Sequence, residues 1–176
     1  MTASRVGHLS RADLYYAADY RLAASGVFQF QDATYSVSFS TEAGLLRCLD
    51  VMLSMPAKPA TPRLVLRPQG YREKRPEWPV SGVRFDFDTD HQVASAVLLA
   101  LDKDATTHTW ITVGDAGRHD VTLTHDSWDP ENKPLPAASF ITIAQLRDVL
   151  CQWAFGDALP PPAVSWTAVP HDTVGW

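Results

Sequence analysis

Four short segments between Val83 and Thr124 constrain the fold more than any other feature of the chain. Val83-Arg-Phe-Asp-Phe87 alternates apolar and polar residues, the period of a strand with one face in a core. Val93–Leu101 is apolar almost throughout, so it reads as a central strand, with a buried helical turn as the alternative. Thr107–Val113 carries Trp110, and Val121–Thr124 alternates again. The links Asp102-Lys-Asp-Ala105 and Gly114-Asp-Ala-Gly117 have hairpin chemistry. An antiparallel meander is therefore expected. Upstream, Thr34–Phe39 places Tyr35, Val37 and Phe39 on one face, and Arg63–Leu66 makes a further short strand.

Three helices are expected around these strands. Ser10–Ser25 reads as the first, capped by Ser10 with Asp13 three residues on and stopped by Gly26. Thr41–Ser54 carries the stripe Leu45, Leu49, Met52 and Leu53, and Pro56, Pro59 and Pro62 end it. The third is the clearest. Thr142-Ile-Ala-Gln145 is a capping box, Ile143, Leu146, Val149, Leu150 and Trp153 form one face, and Gly156 and Pro160-Pro-Pro162 stop it. Ala163–Thr167 closes the chain as a last strand, and Trp110, Trp153 and Trp166 are expected in the core. The reading is an α+β fold, an antiparallel meander sheet packed with two to three helices in a single domain. Its expected parts are an N-terminal helical extension over 1–26, the α+β domain over 27–169 and a tail over 170–176. A chain of 176 residues can bury such a core without disulfides or metals.

Cys48 and Cys151 fall in helical segments with no framework or ligand spacing, and read as buried free thiols in a reducing compartment. The N-terminus lacks the basic-then-apolar pattern of a signal peptide, and no apolar run approaches the roughly 18 residues of a membrane span. The expected location is cytoplasmic. Charge is uneven: Met1–Phe85 holds 11 Lys/Arg against 7 Asp/Glu, whereas Asp86–Trp176 holds 4 against 13. An acidic half is poorly suited to clamping phosphates, so no direct nucleic-acid contact is expected. It suits a basic surface, and it equally describes a solvated face.

Motifs for chemistry are sparse. Asp86-Phe-Asp-Thr-Asp90 opens like a calcium loop, but His91 and Val97 stand where that loop needs glycine and glutamate. Asp86 and Asp88 read instead as the outward side of a strand whose inner side is Phe85 and Phe87. The six histidines show no ligand spacing, although His108 and His125 could approach if their strands do. There is no Gly-x-Ser-x-Gly elbow and no glycine-rich phosphate loop. No metal, no cofactor and no enzymatic activity are expected. The candidate partner-binding residues are acids and tryptophans in links: Asp126, Trp128, Asp129 and Glu131 in Asp126-Ser-Trp-Asp-Pro-Glu131, with Trp78, Asp102 and Asp104. Trp128 either anchors a partner or folds back over the core edge.

The helix Thr142-Ile-Ala-Gln-Leu-Arg-Asp-Val-Leu-Cys-Gln-Trp153 runs through Phe155-Gly156 and a proline turn into Ala163-Val-Ser-Trp166. This resembles the end of the first Imm family of immunity proteins from bacterial polymorphic toxin systems. The strand around Trp110, the second strand and loop after it, and the Tyr35–Phe39 strand followed by the Thr41 helix match the family's order of elements, over roughly residues 34–168. The resemblance implies a protein that binds and neutralises a cognate toxin domain, often a nucleic-acid deaminase or nuclease, by occluding its cleft. The alternatives are a small-molecule or regulatory binding module of α+β type, and a hydrolase with dispersed carboxylates.

Overall fold

The computed structural model describes residues 7–15, 22–30, 33–55, 60–68, 80–115, 120–124 and 133–171. In chain order the elements are β1 (Leu9–Ser10), β2 (Leu22–Phe30), β3 (Ala33–Phe39), α1 (Glu42–Leu53), β4 (Ala60–Pro68), β5 (Ser81–Asp88), β6 (Val93–Leu101), β7 (Thr107–Val113), β8 (Ile141–Thr142), α2 (Ile143–Phe155), β9 (Ala158–Leu159) and β10 (Ser165–Ala168). The main sheet runs β10-β7-β6-β5-β4-β2-β3, antiparallel at every step, with β8 pairing beside β7 on β6. The path has two free ends, so the sheet is open. The protein has an α+β fold in a single domain.

The sheet carries apolar material on both faces, which explains why Val93–Leu101 lacks alternation. Even-numbered Ala94, Ala96, Leu98 and Ala100 join the core with Phe85, Phe87 and Trp110, and both helices lie over this face. Val93 and Val97 join Ile111, Val121, Leu123, Leu135 and Phe140 on the other. Both sides of β6 are therefore shielded, and its eight residues from Val93 to Ala100 are all buried. On the helical face, Ile143, Leu146, Val149, Leu150 and Trp153 of α2 are buried as the stripe predicts. Each such aliphatic side chain contributes about 1.5–3 kcal/mol. The Trp153 indole donates to Ser81 Oγ at 3.0 Å, and Ser81 donates to Leu99 O at 2.8 Å, so that tryptophan enters the core with its polar atom satisfied. Trp110 and Trp166 are buried too.

Helix ends follow their sequence signals. Thr41 accepts from Gly44 N to start α1, and the Thr142/Gln145 box closes reciprocally at 3.1 and 2.8 Å. An Arg147–Asp50 ion pair ties the two helices together.

Three expectations are corrected. The Ser10–Ser25 helix is not formed in the described residues. Ser10 does meet the Asp13 carboxylate, through its N–H at 2.9 Å and its hydroxyl at 2.7 Å, but this opens only the single turn Arg11–Asp13. Tertiary contacts then take over. Arg11 Nη1 donates to Ala154 O at 2.7 Å and Gly156 O at 3.3 Å, capping α2, while Leu14 is buried and bridges to Asp102. Leu22–Gly26 belongs to β2, so the expected boundary at residue 26 falls inside the main sheet. Gly26 sits where a β-carbon would meet Leu64 Cδ2 at 2.7 Å and Val37 Cγ2 at 3.0 Å. Second, Val121–Thr124 is not a meander strand. Its alternation is real, with Val121 and Leu123 buried and Thr122 exposed, but it is coil laid over the second face, with one bridge from Thr124 to Pro134. The neighbour of β7 is β10, not this segment.

Third, Asp86 does not face solvent. It is wholly buried beneath that coil. Its Oδ2 accepts from Thr124 N at 2.7 Å and Thr124 Oγ1 at 3.5 Å, and its Oδ1 accepts from Phe87 N at 2.9 Å. Alternation told the two faces apart but could not say that both are covered.

Candidate functional site

The two hairpin turns of the meander carry Asp88 and Asp90, and Asp102 and Asp104, at opposite ends of β6. Eight residue steps along that strand separate them by about 26 Å. Each turn contains a His–Asp pair, and each is built differently.

At the β6–β7 turn, Asp102 Oδ1 accepts from Asp104 N and Thr106 N, both at 2.9 Å. Its Oδ2 lies 2.7 Å from His108 Nε2. The His108 ring stacks on buried Trp110, with centroids 5.6 Å apart. The hydrogen bond from His108, then that from the Thr106 backbone, hold the Asp102 carboxyl below its ordinary value. The N-terminal segment buttresses the same turn, with Lys103 N donating to Asp13 O at 2.8 Å and Tyr15 N to Leu101 O at 2.9 Å. Asp102, expected to contact a partner, is therefore occupied in forming its own turn. Asp104 remains exposed.

At the β5–β6 turn the arrangement is open. Met52, Leu53 and Met55 at the end of α1 and Phe87, Asp88, Thr89 and Asp90 at the end of β5 line a recess of about 360 Å³. Met52 and Phe87 are buried and belong to the main core, whereas Thr89 and Asp90 are exposed at the rim. Asp88 Oδ1 accepts from His91 N at 2.8 Å and lies 3.0 Å from His91 Nδ1. Burial pulls the Asp88 carboxyl upward, but the His91 backbone and ring bonds outweigh it and hold the group below its ordinary value. The other ring nitrogen of His91 lies 3.7 Å from the exposed carboxylate of Asp120. Helix α1 ends at this recess with no basic residue in its last turn, so its partial negative end adds to the carboxylates. The result is a mostly polar recess with carboxylates at its rim, which suits a cationic group.

Of the expected site residues, Trp78, Asp126, Trp128, Asp129 and Glu131 lie outside the described residues, as does His125. The flanks of the Asp126–Glu131 segment are described. Thr124 bridges Pro134, Leu135 N donates to Leu123 O at 2.8 Å, and Thr124 is held by Asp86. Thr124 thus rests against β5, and Asp102 and Asp104 lie at the far end of β6 from it. Met52, Met55, Phe87, Asp88, Asp90 and Asp120 were not among the expected site residues. The only signal was Asp86-Phe-Asp-Thr-Asp90, three acids running off a strand end.

Among the described residues no group of three His, Cys, Asp or Glu is placed to hold a metal ion, and neither imidazole shares a hydrogen bond with a hydroxyl or thiol. The thiols are held protonated. Burial raises Cys48, and burial with the nearby Glu42 carboxylate pushes Cys151 up to about 11. Among the described residues no helix is long and apolar enough to cross a membrane. Comparison with family models, curated proteins and solved structures finds no match to this chain.

Proposed function

We propose that this chain works by binding the basic surface of a protein partner, and that the partner is a toxin domain which it neutralises by covering the substrate cleft. The observation that carries the reading is the recess at the β5–β6 turn. Asp88 and Asp90 line it, the end of α1 adds partial negative charge, and Asp120 lies close by beside His91. A toxin that acts on nucleic acid needs a basic cleft, and an acidic rim is the complement of one. The resemblance to immunity proteins supplies the partner class, and a cytoplasmic site of action belongs to the same proposal.

The test is co-expression with the C-terminal domain of the neighbouring gene's product, scoring survival and co-purification. Survival with a stable complex supports the reading. The double variant Asp88→Lys/Asp90→Lys is then expected to slow association roughly tenfold or more, with Asp104→Lys close to wild type, because rim charges act chiefly on the association rate. An unchanged rate in the double variant would remove the recess from the interface. The absence of a complex would favour a second reading, a small-molecule binding module. The recess volume supports that reading, since it falls within the roughly 300–1,000 Å³ of ligand pockets.

A further inference from the structure

The N-terminal segment from Leu9 to Tyr15 is held to the rest of the molecule as a bound peptide is held to its receptor. At one end β1 adds to β9, with Leu9 opposite Leu159 and Ser10 opposite Ala158. Arg11 N then donates to Asp157 O at 2.7 Å, and Arg11 Nη1 reaches Ala154 O at 2.7 Å and Gly156 O at 3.3 Å. At the other end Leu14 bridges Asp102, Tyr15 N donates to Leu101 O at 2.9 Å, and Asp13 O accepts from Lys103 N at 2.8 Å. Each of these bonds falls on a main-chain group of the receiving segment. Main-chain pairing of this kind gives affinity, and side-chain sockets give the choice of ligand.

Two sockets make that choice. The first is the end of α2. Its last turn holds no basic residue, so its outermost carbonyls take their cation from outside the helix. Burial works against the charge of the half-buried Arg11 guanidinium, and the Asp157 carboxylate works for it. The second socket is apolar. Leu14, three residues beyond Arg11, is 1% exposed and belongs to the main core. Between them Ala12 is exposed, and the Asp13 carboxylate accepts from Ser10 N at 2.9 Å, which serves the segment's own shape.

We infer that the end of α2, β9 and the β6–β7 turn form a site for an extended peptide that carries arginine and, three residues later, leucine. The segment from Leu9 to Tyr15 occupies it in cis as a built-in ligand, and a partner segment of the same pattern is the occupant that displaces it. A tethered ligand acts at an effective concentration of order millimolar, so a dilute free peptide enters only where the tethered copy is weakened. The site lies at the far end of β6 from the recess, and the inference does not rest on the proposed function.

The probe is a fluorescent peptide of residues 7–15, titrated into the full chain and read by anisotropy. Wild type is expected to exclude it. Arg11→Ala/Leu14→Ala weakens the tethered copy, and the peptide is expected to bind this variant at least about tenfold more tightly than wild type. The same peptide bearing both substitutions is expected to lose that binding. Circular dichroism checks that the variant folds. Amide exchange in wild type gives a readout without mutation. The Arg11, Tyr15 and Lys103 amides are expected to exchange together and faster than those of β6, because the segment opens as a unit below global unfolding. A folded variant that does not bind the peptide overturns the inference, as does equal binding of the substituted peptide. Exchange of the three amides only together with β6 overturns it as well, because the segment is then an inseparable part of the core.

Discussion

The β5–β6 and β6–β7 turns are built from the same parts. Each has an aspartate, a histidine within hydrogen-bond reach of it, further acids, and one non-glycine residue in the left-handed region, Gln92 at φ 57° and Ala105 at φ 59°. The difference lies in what their neighbours do. At the β6–β7 turn the aspartate collects three donors and the N-terminal segment closes over the outside. At the β5–β6 turn the aspartate also takes donors from its own turn, the His91 N–H and ring and the Asp90 backbone, while the other His91 nitrogen faces Asp120 and the end of α1 leaves a recess beside it. Identical residue types therefore make a structural lock in one place and an available surface in the other. A charged motif acquires its role from the segments that the fold packs beside its turn.

The largest expected effect tests the lock. Asp102→Ala leaves two backbone N–H groups and the His108 ring without their acceptor, and should cost about 2–3 kcal/mol in urea unfolding. Asp88→Ala, which loses the bonds from His91 and the Asp90 backbone at a more open turn where water can replace them, should cost about 1 kcal/mol. Equal costs would erase the distinction between the turns.

Next in size is the backbone strain. Ala105→Gly relieves a left-handed alanine and should stabilise the protein by about 1 kcal/mol. Gln92→Gly relieves the same strain but loses the 2.7 Å bond from Gln92 Nε2 to Thr89 O, and should be near neutral. Thermal unfolding of the two variants separates the cases.

The smallest effect is the acid dependence. Asp102 and Asp88 are both held below their unfolded value. The stability each contributes is complete above the unfolded aspartate pKa of about 3.9 and is lost as pH falls through the lower folded value. The urea midpoint should therefore drop below about pH 4. Asp102→Ala and Asp88→Ala should each flatten that drop. A steeper drop in either variant would contradict the assignment.

Much of the fold was legible because it rests on local periodicity. The Thr142/Gln145 box, the Leu45–Leu49–Met52 stripe and the Phe85/Phe87 alternation each appear where the pattern puts them. The Ser10–Asp13 pair was legible too, yet its helix does not propagate, because Arg11 and Leu14 are bound to α2 and to the β6–β7 turn. Val121–Thr124 shows the same limit. Alternation reported that one side is buried without saying whether a strand neighbour or a second covering layer buries it. For the site, sequence pointed to acids in links, and it named Asp102 and Asp104 while passing over Asp88, Asp90 and Asp120.

The sequence by itself determined where helices start and stop, which faces are apolar, and that the meander strands are antiparallel, since each depends on residues a few positions apart. Tertiary structure alone decided that both faces of the sheet are covered, that Asp86 is interior, that Leu22–Gly26 pairs as a strand, and which acidic turn stands open. Those outcomes depend on how many donors and how much apolar surface distant segments bring to one place, and no local pattern encodes that number.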